Sequence, residues 1–266
     1  MRLIFVVLII AGCAGALFFV GAALGKKATA RPIRTRLFLA SVVLAAPGLL
    51  FVLYYTHLFD NAGWFYSFRV LRFTEFLPAG IGLLAGLLYS WFEPESLGEK
   101  LVLPTALMVL VLIPFVKPLL DPIELNRLRD RCDGEVCMQS TFSTCGPSSA
   151  ATLLKAFGQA ASERQLASEC LTSRGGTEIW YIARALERRG FRTRVVIQLP
   201  DELSPPSPAI AGVVLPGGAG HFIAIMDETS DEVTIGDPMK GKLLVKRAAL
   251  RNIYRFTGFF LVIQPK

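Results

Sequence analysis

The residues able to attack a carbonyl lie in the second half of the chain. Cys145 begins a helical pattern in "QSTFSTCGPSSAATLLKAFG", where Ala150, Leu153, Leu154 and Phe157 recur on one face and Gly158 closes the run. Unpaired N–H groups and the positive dipole end make a helix start favourable for negative charge, the charge an attacking sulfur carries. A thiol also needs a base, and the base needs a third group to fix its tautomer. The chain has two histidines. His57 closes an apolar run and reads as a boundary residue, so His221, opening the apolar strand "HFIAIM", is the imidazole left for that role. Asp237 ends the next strand of an expected hairpin, where an antiparallel neighbour can set its carboxylate beside the ring. Asp227 and Asp231 fall at or inside the hairpin turn and rank lower. Gln139 precedes Cys145 and offers a side-chain amide to a developing oxyanion, together with the Cys145 N–H. One such donor is worth about 3–4 kcal/mol in a transition state. Gly146 leaves space for a substrate backbone, and Pro147 suits a first helical turn.

Positioning these groups takes helices and then strands. "SERQLASE" starts with Ser162 and carries Gln165 three residues on, a capping-box beginning. Thr177 precedes "EIWYIARALERRG", where Ile179, Ile182, Ala183 and Leu186 share a face and Gly190 stops the helix. The period then changes. "TRVVIQL", "AIAGVVL", "HFIAIMDE", "EVTIGD" and "GFFLVIQ" are short β-branched runs divided by turn residues. Helices followed by strands predict an α+β domain over residues 121–266.

Residues 1–120 are of another kind. The chain is 53% hydrophobic with a mean hydropathy of +0.49, above the roughly 45–50% apolar content of soluble domains, and the excess is concentrated here. Spans are expected near residues 3–24, 37–58, 76–92 and 101–120, each close to the length that crosses hydrocarbon. Pro47 should only bend the second, and Gly82 and Gly86 give the third a G-x-x-x-G spacing for close helix approach. Cys13 follows "LIFVVLII" as a lipid-attachment cysteine would, but the apolar run continues to Leu24 and favours a span. The net charge of +7 is concentrated at Lys26, Lys27, Arg31, Arg34 and Arg36, with no acid among them. That pattern marks a cytoplasmic loop, and it argues against nucleic-acid binding. Four spans then leave residue 121 onward outside the cytoplasm, whereas without the third crossing it would lie inside.

The sequence from Gln139 onward resembles the double-glycine leader peptidases, the bacteriocin-processing cysteine peptidases of papain-like fold. The shared elements are Gln, then Cys-Gly opening a small-residue helix that ends in Gly, then His on an apolar strand, then Asp-Pro-x-x-Gly, here Asp237 to Gly241. The resemblance covers roughly residues 130–266 and implies Cys145 as nucleophile, His221 as base, Asp237 as its orienter and Gln139 as oxyanion donor. It implies a cysteine peptidase acting on peptide or protein substrates; the apolar spans make it a membrane-anchored one, expected in a bacterial inner or plasma membrane, and the span count makes its peptidase domain extracytoplasmic. No cofactor is implied, and no G-x-x-x-x-G-K-[ST] motif for a nucleotide occurs. The same order of Cys, His and Asp also serves thiol acyltransferases and amidases, and a peptidase-like domain that only binds peptide is the non-enzymatic alternative. Cys132, Cys137 and Cys170 remain. An oxidising compartment would allow Cys132 to pair with Cys137, and a zinc site is not expected without a second histidine or a C-x-x-C pair.

Overall fold

The structure is a computed structural model that describes residues 2–54, 56, 58, 59, 61–92, 96–199 and 204–266. His57 lies outside the described residues. The first six helices are α1 (Arg2–Lys27), α2 (Arg31–Tyr54), α3 (Gly63–Val70), α4 (Ile81–Phe92), α5 (Leu97–Leu112) and α6 (Val116–Leu120), with a 3₁₀ stretch Thr74–Gly80 leading into α4. Among the described residues four segments are long and apolar enough to cross a membrane: Leu3–Lys27, Arg31–Tyr54, Thr74–Phe92 and Leu97–Leu120. Pro47 sits inside α2 without ending it.

The chain forms two compact units, one of residues Met1–Asp60 and Arg72–Val116, the other of Asn61–Leu71 and Lys117–Lys266. Within the first, α1 and α4 meet along a seam of glycines. A Cβ on Gly82 would stand 2.2 Å from the Ala14 carbonyl oxygen, and one on Gly86 would stand 1.9 Å from that of Phe18. The backbones therefore approach as only glycine permits, which is how helices gain packing where water offers no hydrophobic drive. Ser96 and Glu99 form a reciprocal capping box at the start of α5.

The second unit carries α7 (Cys145–Ala156), α8 (Glu163–Glu169), α9 (Ile179–Arg188) and the short α10 (Leu250–Ile253). Its strands are β1 (Cys132–Asp133), β2 (Val136–Cys137), β3 (Phe191–Ile197), β4 (Ala209–Val214), β5 (Gly220–Glu228), β6 (Glu232–Asp237), β7 (Gly241–Lys246) and β8 (Arg255–Pro265). β1 and β2 form a small hairpin, and the other six make one antiparallel sheet in the order β3-β8-β4-β5-β6-β7. Helix α9 starts from an extended Glu178, one residue later than Thr177 would place it, while Gly158 and Gly190 end their helices at positive φ. The core on one face of the sheet joins Ile223, Ile225, Val233, Ile235 and Phe260. On the other face α7 lies along β5, with the Ser149 hydroxyl donating to the Phe222 carbonyl at 3.1 Å.

Helix α3 belongs to this second unit although it falls between two apolar spans. Phe65 meets Trp180 edge-on at 6.5 Å and Tyr66 meets Phe259 at 5.0 Å. The Arg184 guanidinium donates to the carbonyls of Arg69, Val70 and Leu71, the groups that an α-helix leaves unpaired at its C-terminus.

The glycine seam gives a direct test in the first unit. Gly86→Val should lower the thermal unfolding midpoint of the detergent-solubilised chain, by an amount worth about 1–3 kcal/mol of overpacking. Gly12→Val, where a Cβ meets nothing within 4 Å, should leave it unchanged.

Candidate active site

Cys145 is the first residue of α7 and follows a tight 3₁₀ turn, Phe142–Thr144. That turn is fixed by its own hydroxyls, with the Thr141 N–H donating to Thr144 Oγ1 at 3.2 Å. The sulfur is held at a helix start, 7% exposed. Gly146 is filled around by protein: a Cβ there would sit 2.6 Å from Ile182 Cδ1 and 3.4 Å from Phe222 Cδ2. This corrects the expectation that Gly146 opens space for substrate, since the missing side chain serves the packing of α7 on α9 and β5.

His221 lies near the start of β5 and is buried, as is Asp237 at the end of β6. Nε2 of His221 stands 3.1 Å from Asp237 Oδ1. A carboxylate can only accept, so the ring donates through Nε2 and keeps Nδ1 for another partner. Cys145 lies near enough to act on the imidazole and favours its charged form. Asp237 has further support. Its Oδ1 accepts the Met239 N–H at 2.8 Å, its Oδ2 accepts the Tyr254 hydroxyl at 2.5 Å, and Lys240 Nζ lies 3.9 Å from Oδ2. The first of these makes the Asp-Pro-x-x-Gly turn self-capping, with Gly241 at φ +90° closing it opposite Asp237 in the β6–β7 register.

Burial works against the charged imidazole, but the hydrogen bonds and charges of Asp237 and Cys145 outweigh it and raise His221 to about 9. Burial likewise opposes ionised Asp237, yet His221, Tyr254 and the Met239 N–H together hold it below its ordinary range. An imidazolium at neutral pH thus faces the sulfur, with an anion behind it. The linked stability has opposite signs at its two ends. The His221 contribution is full below 6.5 and is lost as pH rises through about 9, whereas the Asp237 contribution is present above 3.8 and is lost as pH falls through its lowered value.

Gln139 is tied to the same turn, because its N–H donates to the Pro238 carbonyl at 3.0 Å. Its Oε1 is buried and has no hydrogen-bond partner among the described residues, a costly state for an amide unless binding supplies the partner. The next residue, Ser140, is clamped by Glu163, whose carboxylate accepts the Ser140 N–H at 2.6 Å and its hydroxyl at 2.5 Å. Just upstream, Cys132 and Cys137 are joined by a disulfide across the β1–β2 register. Cys170 is fully buried and its thiol is pushed up to about 12, chiefly by burial, as suits a packing residue. No group of three metal-ligating side chains occurs among the described residues.

Tyr254 and Glu163 had no place in the sequence reading. Tyr254 reaches Asp237 only through the junction of α10 and β8, and Glu163 meets Ser140 across a fold of the chain. Neither contact leaves a local pattern.

Residues 134–266, half of the chain, match the Peptidase C39 family, and the chain belongs to that family. An uncharacterized protein of Methanothermobacter thermautotrophicus is 33% identical over 132 residues, covering 50% of this chain and 89% of that protein. The lactococcin-G-processing and transport ATP-binding protein of Lactococcus lactis subsp. lactis is 25% identical over 135 residues, covering 50% of this chain and 19% of its own. Among solved structures, a double glycine motif protease from the AMS/PCAT transporter, in complex with its leader peptide, matches with a TM-score of 0.42. It is 23% identical over 53% of this chain and 96% of its own. The peptidase domain of Streptococcus ComA matches with a TM-score of 0.41 and 22% identity, over 53% of this chain and 98% of its own.

The hydrogen-bond chain can be titrated directly. With His57 replaced by Gln, NMR of the single imidazole should give a midpoint near 9. Tyr254→Phe removes a donor from Asp237, which raises the Asp237 pKa and weakens its hold on the ring, so the His221 midpoint should fall. Asp237→Asn should lower it further, and a midpoint near 6.5 in the parent would contradict the arrangement.

Proposed function

We propose that the chain is a membrane-anchored cysteine peptidase that cleaves peptide bonds through Cys145, His221, Asp237 and Gln139. The observation that carries this reading is the buried pair of His221 Nε2 and Asp237 Oδ1 at 3.1 Å, beside a Cys145 that favours the charged imidazole. In the first step Cys145 Sγ, its proton already passed to His221, attacks the substrate carbonyl carbon while Asp237 holds the imidazolium. The oxyanion that forms is met by the Gln139 side-chain N–H and the Cys145 backbone N–H. His221 gives its proton to the departing amine as the C–N bond breaks, leaving a thioester on Cys145. A water molecule, losing its proton to His221, then attacks that thioester and releases the acid product and the thiol.

The proposed side of the membrane is extracytoplasmic. The five basic residues from Lys26 to Arg36 put the connection between the first two spans in the cytoplasm. Parts of one folded unit share a side, and α3 folds with residues 117–266, so an even number of crossings must separate them. The spans Thr74–Phe92 and Leu97–Leu120 supply two. The Cys132–Cys137 disulfide supports the same side, since oxidising conditions are found there.

Cys145→Ala should abolish cleavage of a peptide library by the full chain. Gln139→Ala should lower kcat by about 100- to 1,000-fold with little change in KM, the signature of a donor used only in the transition state. A phosphatase reporter that folds only outside the cytoplasm, fused after Lys266, should be active. Retained cleavage by Cys145→Ala would end the peptidase reading, and an inactive reporter on a stable fusion would reverse the topology.

A further inference from the structure

Beside the candidate site runs a groove of about 410 Å³, within the roughly 300–1,000 Å³ usual for ligand sites. Gln139 forms part of its wall, with Arg129, Arg131, Phe142 and Met239 around it. Both arginines are exposed, and among the described residues neither guanidinium has an ion-pair or hydrogen-bond partner. Two acids close to them in the chain or the fold are engaged elsewhere. Asp130 accepts the Arg164 N–H at 2.7 Å, and Glu163 is buried beneath Ser140. Among the described residues no carboxylate lines the groove. Phe142, 80% exposed, and Met239, 42% exposed, hold large apolar side chains out beside these charges.

We infer that this groove takes an acidic stretch of the peptide substrate, lying within a few residues of the bond that is cut. This deepens the peptidase reading and rests on it. Arginine presents paired donors that match a carboxylate, and two unpaired arginines with no competing acid form a site of one sign. Phe142 and Met239 supply apolar contact for the residues between the acids. A peptide is the occupant because Gln139 belongs both to the groove and to the proposed oxyanion site, so whatever fills the groove adjoins the reacting carbonyl. An extended chain advances about 3.3–3.6 Å per residue, which sets the few-residue limit.

The test uses the full chain carrying Cys145→Ala in detergent, with dye-labelled peptides of equal length and equal apolar content that carry glutamates, glutamines or lysines. The glutamate peptide should bind about tenfold tighter than the glutamine peptide at low salt and lose that margin near 0.5 M salt. Arg129→Gln with Arg131→Gln should erase the margin, and both positions are exposed enough for the variant to fold. Equal binding of all three peptides, or a margin unmoved in the double variant, overturns the inference. In parallel, the unsubstituted chain digests a proteome-derived peptide library. Acids enriched near the cut bonds support the groove, and cuts without that enrichment overturn the groove while the peptidase stands. An acidic preference in binding with no cleavage at all by the unsubstituted chain keeps the groove and removes the peptidase.

Discussion

A carboxylate at 1% exposure is the constraint around which the second unit is arranged. An ionised group taken from water costs several kcal/mol unless its oxygens find partners. Asp237 finds them in four places: the imidazole on β5, the N–H of Met239 in its own turn, the hydroxyl of Tyr254 before β8, and the ammonium of Lys240. The consequences spread outward from there. The turn that serves Asp237 also presents the Pro238 carbonyl, which anchors Gln139. One buried charge therefore fixes the ring that faces the sulfur and the strand end that carries the amide.

The two units solve packing under different rules. In the apolar unit the helices close on glycines whose backbones touch. In the second unit the sheet face is filled by branched and aromatic side chains, and apolar burial at about 25 cal/mol per Å² drives the fold. Helix α3 shows the second rule acting on a segment that sequence position assigns to the first. Phe65, Tyr66 and the Arg184-bound carbonyls attach it to α9 and β8.

What the sequence made legible was what repeats locally. The periodicity of α7 and α9, the glycine stops at positive φ, and the alternation of β4, β5, β6 and β8 follow from backbone geometry that each residue reports for itself. The apolar spans were readable for the same reason, through length and composition. Strand β7 was not, because "GKLLVK" is an edge strand with only Gly241 and Val245 buried, and its side chains say little about pairing. Helix α3 has eight residues and aromatic groups on several sides, so its helicity comes from tertiary contact. In the site, the order Gln, Cys, His, Asp was visible, whereas Tyr254, Glu163 and the packing reason for Gly146 depend on distances that no spacing encodes.

The β1–β2 hairpin connects these separate matters. With two residues in each strand it is too short to hold itself in water. It is held by the Cys132–Cys137 disulfide, by Thr152 Oγ1 accepting the Cys137 N–H at 2.9 Å, and by the Met138 N–H donating to the Arg131 carbonyl at 2.8 Å. One end of this hairpin is Arg131 and the other runs into Met138 and Gln139. The staple that fixes the proposed oxyanion amide therefore also fixes a guanidinium of the basic groove. Because the staple is a disulfide, its persistence depends on the compartment. The placement of the proposed oxyanion amide and that of an arginine beside it are then set by one element of structure.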